Sequence, residues 1–251
     1  MAQKMRGQVV IWVFVALGLT AIFVLLMTLR PAPTRTDIST SDPVMYIQGC
    51  VRDALRDELD VHLPTGGITG GKRIMFDNRS YVALCYNSKL FEPCVSQFPL
   101  PLETFTKQLY ERTLPIVGSC FASLQHALEQ KGTVASMQAL TYSLSFAPGT
   151  LFVTITRSLS LSDRGTTRDY ETFDFTLKTA TYELLDLARE IASQEGQFCY
   201  FEYAGYMILY PEYTITKTAL ADTSKLYTLT HLPTQTSLGF VTRGCALPAG
   251  V

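Results

Sequence analysis

Residues 42–61 read DPVMYIQGCVRDALRDELDV. Asp42 can cap a helix, and Pro43 suits its first turn. Val44, Ile47, Val51, Leu55 and Leu59 recur every three or four residues and make one apolar stripe, so the spacing predicts an amphipathic helix over residues 43–61. Arg52, Asp53, Arg56, Asp57 and Glu58 fall on its solvated side. Cys50 sits beside Ile47, Val51 and Ala54 on the inner face. A helix with one buried face and a cysteine on that face belongs to a domain with a core, and the segments on either side show what kind.

Toward the C-terminus, residues 64–71 (PTGGITGG) form a loop. Its glycines match neither a P-loop nor a dinucleotide fingerprint, and no Lys-Ser/Thr follows, so a plain turn is the reading. Strands are expected at 73–76 and 81–86. Residues 102–114 and 115–130 read as one bent or two consecutive helices, with Phe105, Leu109, Val117, Phe121, Leu124 and Leu128 inward and Gly132 at the end. Residues 136–146, 150–161 and 168–175 carry β-branched and aromatic residues in partial alternation and predict an up-and-down meander. A third helix is expected over 177–193, with Thr181, Leu184, Ala188 and Ile191 on one face. The Tyr-, Thr- and Leu-rich tail, 200–240, reads as further strands. The fold class is α+β: helices packed on a mainly antiparallel sheet over residues 43–251.

Toward the N-terminus, residues 30–42 (RPAPTRTDISTSD) make a Pro/Ser/Thr linker reaching at most roughly 35–40 Å at 3.1 Å per residue. Residues 9–29 (VVIWVFVALGLTAIFVLLMTL) contain no charge. A helix of that length spans roughly 31 Å, matching a hydrocarbon core of about 30 Å. The run is longer than a cleaved signal's apolar core, and Arg30-Pro31 follows in place of a small-x-small site. The expectation is a retained single-pass transmembrane helix with the lipid bilayer as partner. Lys4 and Arg6 hold residues 1–8 in the cytoplasm by the positive-inside rule, which places the C-terminal domain outside the cell. Residues 1–30 carry +3 and the rest of the chain −4. A mildly acidic domain without a Lys/Arg run lacks the footprint that nucleic-acid binding needs.

Arg6-Gly7-Gln8, followed directly by an apolar helix, resembles the class III signal sequences of archaeal pilin-like proteins. That resemblance implies cleavage between Gly7 and Gln8, leaving the helix intact. Pilins often carry Glu five residues into the mature chain, where this sequence has Trp12. The order of later segments is similar to that of single-pass membrane proteins of small-genome archaea. The shared features are the Arg-Gly-Gln-Val start, a helix like the one around Cys50, a Gly-rich loop, and a Leu-Pro-x-x-x-x-Cys stretch as at Leu114, Pro115 and Cys120. That likeness implies location and carries no mechanism.

Six cysteines follow the apolar run: Cys50, Cys85, Cys94, Cys120, Cys199 and Cys245. None forms the C-x-x-C pair that zinc ribbons and thioredoxin-like sites need. Three disulfides in an oxidising compartment is the simplest reading, with inert buried thiols as the alternative. Of the fifteen pairings, two stand out. Cys85 and Cys94 bracket one short loop, and Cys50 and Cys120 lie on the inner faces of two helices. Cys199–Cys245 is what remains. Asn78-Arg79-Ser80 is an N-glycosylation acceptor in a turn between strands.

His62, His126 and His231 are too scattered to read as a site, and neither H-E-x-x-H nor G-x-S-x-G occurs. Paired glycosidase-type acids meet only in the fold and leave no sequence signature. The chain therefore names no catalytic residue, cofactor or metal site. The expectation is a non-enzymatic cell-surface protein with a structural, adhesive or assembly role, pilin-like in its bolder form. The alternatives are a membrane-tethered extracellular enzyme and an accessory subunit of a membrane complex. A deep polar pocket with convergent carboxylates favours the enzyme. An apolar patch or an exposed strand edge favours binding.

Overall fold

The computed structural model describes residues 42–89, 92–163 and 165–244. Helix α1, Pro43–His62, starts where the sequence places it: Asp42 Oδ1 accepts from the backbone N–H of Val44 at 3.0 Å and of Met45 at 3.2 Å. Ile47, Val51, Leu55 and Leu59 are buried along its stripe. A 3-10 turn, Leu63–Thr65, leads into the glycine loop. That loop is built for close packing. Gly66 has φ +103°, and a Cβ there would lie 2.1 Å from Val82 Cγ1, a contact that no side chain survives.

Strands β1, Arg73–Phe76, and β2, Arg79–Tyr86, form a hairpin in which Phe76 faces Arg79. Asp77 and Asn78 make its two-residue turn with φ of 46° and 58°, the left-handed pair that a type I′ turn requires. Strand β3, Val95–Ser96, adds to β2. Helix α2, Pro101–Glu129, is one continuous element with Pro115 inside it, and not two helices. Strands β4 (Val134–Met137), β5 (Thr141–Ala147), β6 (Thr150–Asp163), β7 (Thr166–Thr172) and β8 (Phe175–Lys178) follow. Helix α3 covers Thr181–Phe198 and helix α4 covers Tyr203–Leu209. Strands β9 (Tyr213–Ala219), β10 (Lys225–His231) and β11 (Thr236–Arg243) complete the described fold.

The class is α+β, but the strands divide between two sheets where the sequence reading had one. The first runs β1-β2-β11-β10-β9 with β3 beside β2, and its β2–β11 pair is parallel. The second is built on β6, whose ladder with β7 shifts register between Thr156 and Leu159. On the opposite edge β5 pairs with β6 up to Thr156, and β4 takes over from Leu159. The irregularity at Arg157–Ser158 therefore splits one expected partner strand into β4 and β5. On the other edge β7 continues across it to Thr172, and the break between β7 and β8 comes at Asp174, whose Oδ1 accepts from Ile155 N–H at 2.9 Å. Helix α3 packs on β2, β10 and β11 and also meets α2, while α2 covers β4 and β5. One apolar cluster joins all of these, with Phe105, Phe121, Leu151, Ile191, Tyr227 and Phe240 among its fully buried members.

Two boundaries need correction. Leu177 lies in β8 and the third helix begins at Thr181, because Leu177 pairs with Leu151 across the sheet. The tail is not all strand: Tyr203–Leu209 is a short helix that packs Tyr203, Tyr206 and Met207 against the core. Among the described residues, no helix is long and apolar enough to cross a membrane. The predicted membrane helix, residues 9–29, lies outside them, as do 1–8 and 30–41.

Candidate binding groove

Pro101 opens α2 and Glu103 lies in its first turn, suited to the positive end of the helix dipole. Phe105 and Leu109 are buried, which turns Leu102, Thr106 and Tyr110 to the margin of the core and Glu103 and Lys107 into solvent. Beside this flank runs β5, TYSLSFA. Tyr142 is buried, Leu144 and Phe146 are half-buried, and Ser143 and Ser145 are exposed.

Between helix flank and strand lies an open groove of about 500 Å³. Its strand wall is formed by five consecutive residues, 142–146. Successive strand residues point to opposite faces, so a cavity touching all five follows the strand's edge rather than either face. β5 pairs with β6 alone, and its other edge is the border of the sheet. Tyr110 stacks on Tyr142 at 5.5 Å between ring centroids, and Phe105 meets Phe146 at 6.0 Å. The Tyr142 hydroxyl lies 3.1 Å from Thr113 Oγ1. Burial pushes that phenol up to about 12, so it stays protonated. The groove offers the free main-chain edge of β5, with Leu102, Thr106 and Tyr110 on the helix side and Glu103 and Lys107 also in its lining.

A second pocket of about 250 Å³ is more polar. Glu183, Asp186 and Glu190 of α3 share it with Tyr182, Tyr206 and Tyr213. Each of the three carboxylates has one oxygen engaged. Glu183 Oε1 accepts from Gly149 N at 2.5 Å, Asp186 holds Arg189 at 2.8 Å, and Glu190 accepts from Gln194 at 2.8 Å. Glu183 Oε2 is buried without a hydrogen-bond partner. Burial, with neighbouring tyrosines and acids, pushes the Tyr206 phenol up to about 12.

The chain matches no family model, no curated protein and no solved structure.

Cys50 and Cys120 are bonded, with α-carbons 6.1 Å apart, and join α1 to α2. Cys85 and Cys94 are bonded, with α-carbons 5.3 Å apart, and close the loop after β2. Cys199 is also in a disulfide, and Cys245 lies outside the described residues, as do Gly7 and Gln8. Asn78 is exposed at the hairpin tip, although the hydroxyl of Ser80 in its tripeptide already accepts from Arg73 Nε at 3.0 Å. The histidines remain apart. His62 contacts Glu58 at 3.2 Å, His126 is exposed, and His231 Nδ1 lies 2.8 Å from Thr234 Oγ1. Among the described residues, no group of three or more His, Cys, Asp or Glu is placed to hold a metal ion.

The sequence reading missed the groove, the tyrosine-lined pocket and one buried cluster. In that cluster Glu195 is fully buried on α3, its Oε2 lies 2.5 Å from Lys225 Nζ, and its Oε1 accepts from the Tyr227 hydroxyl. Lys225 also donates to the Cys199 carbonyl at 2.6 Å. Burial and the Glu195 bond drive the Tyr227 phenol far up, so it serves as a donor throughout. Every group there has a partner inside the fold, which marks it as a structural clasp between α3 and the β9–β10–β11 layer.

Proposed function

We propose that this is a membrane-anchored cell-surface protein whose extracytoplasmic domain serves adhesion or assembly by gripping another protein. The groove along β5 carries this reading: an uncharged sheet border beside a helix flank of Leu102, Thr106 and Tyr110, rimmed by Glu103 and Lys107, is a surface suited to binding polypeptide. The disulfides Cys50–Cys120 and Cys85–Cys94, with Cys199 bonded as well, support the location, since such bonds persist in oxidising compartments. The apolar run 9–29 provides the anchor, and Arg6-Gly7-Gln8 provides a pilin-like processing site. The test is photo-crosslinking in the native membrane with benzoylphenylalanine at Ser143, which lines the groove, and at Glu129, exposed at the far end of α2. Protein adducts are expected at Ser143. Adducts no more abundant there than at Glu129 would remove the reading.

The pocket at Glu183 favours a second reading, a membrane-tethered enzyme, because a buried carboxylate oxygen without a hydrogen-bond partner belongs to a pocket lined by three tyrosines. Extracellular substrates screened against wild type and Glu183→Gln would support it only through turnover that the variant lacks.

A further inference from the structure

We infer that the groove takes one extended polypeptide segment, added as a strand to the free edge of β5, with apolar side chains at alternate positions. This rests on the reading of the groove as a protein-binding surface and specifies how the partner is held.

Native sheets protect their borders with charge, proline, brevity or cover. The other borders of this fold follow that rule. β1 carries Arg73, β9 carries Lys217, β7 carries Arg168, Asp169 and Glu171, and β4 has four residues. β5 has seven residues with neither charge nor proline. Its unpaired donors and acceptors are complementary to another main chain before any side chain is considered.

The shape of the groove selects the occupant. At about 3.4 Å per residue, the stretch 142–146 offers an edge roughly 14 Å long, enough to pair with four or five residues. The flank of α2 stands opposite, so the space is a slot for one strand between a sheet edge and a helix. On the covered side, the incoming strand continues the row Tyr142, Leu144, Phe146 and meets Leu102, Thr106 and Tyr110, which calls for apolar side chains, while Glu103 and Lys107 stand at the rim, where the polar positions of the segment can reach them. On the open side it lies beside Ser143 and Ser145, which are small and neutral and leave room for polar ones. The partner is therefore a segment alternating apolar with polar residues, without proline where it must donate.

The probe is a phage-displayed library of random dodecapeptides, selected on the full chain in detergent micelles. Enriched peptides are expected to alternate apolar and polar residues and to slow amide exchange across 141–147 at least tenfold. Ser143→Lys with Ser145→Lys restores a charged border at exposed positions and should weaken them at least tenfold with an unchanged melting temperature. If that variant melts lower, Thr106→Trp, which fills the slot from the helix side, replaces it. Peptides that leave exchange over 141–147 unaltered, that bind both variants undiminished, or that fail to enrich at all would each overturn strand addition. Crosslinking at Ser143 separates the two ideas: if it still captures protein, the groove binds by another mode, and if it does not, both readings fall.

Discussion

Glu195 and Lys225 face each other at 2.5 Å with the carboxylate wholly withdrawn from water. The pair ties α3 to β10, and the Tyr227 hydroxyl takes the second carboxylate oxygen. Removing one partner from such a pair leaves an uncompensated buried charge. Glu195→Ala is expected to cost about 3–5 kcal/mol in chemical denaturation, and Glu195→Ala combined with Lys225→Met should recover a large part of it. Equal losses in the single and double variants would show that packing, not the stranded ammonium, sets the cost.

The disulfides Cys50–Cys120 and Cys85–Cys94 should differ in weight. Cys50 and Cys120 are separated by 70 residues and Cys85 and Cys94 by 9. Chain-entropy arguments give about 4.4 kcal/mol for the longer loop and about 2.7 for the shorter. Paired Cys→Ser replacements compared by denaturant titration should rank in that order.

His62 makes stability depend on pH. Burial first, and then the Arg112 guanidinium, lower its affinity for protons below the ordinary 6.5, while Glu58 pulls the other way. The unfolded chain takes up this proton near 6.5 and the folded chain resists it. Stability therefore falls as pH drops below 6.5, until the folded imidazole also protonates. Melting temperatures followed from pH 8 to 5 should decline, and His62→Gln should flatten the part of that decline nearest 6.5.

For the proposed anchor, the full chain should stay with membranes in carbonate at high pH. Leu19→Asp with Phe23→Asp should release it, at about 2.5–3.5 kcal/mol per central charge. Sequencing of the native N-terminus should begin at Gln8 if the Arg6-Gly7-Gln8 start is processed as its resemblance implies. Release of unmutated protein by carbonate would end the anchor reading.

Local order was legible in the sequence, and non-local order was not. The stripe on α1 and its Asp42 cap rest on neighbours within a few residues and sit where the sequence put them, and the turn expected around Asn78 is there but tighter, with Arg79 and Ser80 already in β2. The stripe on α3 held a hint that went unread. Thr181, Leu184, Ala188 and Ile191 continue to Glu195, so an acid occupied the next inward position, and only burial with a partner makes that tolerable. The strand TYSLSFA could be recognised from its alternation, but its being a border depends on what β6 pairs with on either side, and no local pattern encodes that. The groove was hidden for the same reason. The parallel β2–β11 pair was invisible because it links distant parts of the chain with a register shift at Val241/Thr242.

That parallel pair also governs timing. β11, the last strand of the described fold, lies between β2 and β10, in the interior of the first sheet. A chain made from its N-terminus exposes β2 early, and Ala83, Cys85 and Tyr86 stay without their permanent neighbours until Val241, Thr242 and Arg243 have emerged. The first sheet therefore cannot close during synthesis, while the second, whose strands are consecutive, can form in passing. The half-finished molecule is a folded meander attached to an open hairpin, and its exposure to mispairing lasts as long as residues 179–243 take to arrive, roughly 3–13 s at 5–20 residues per second.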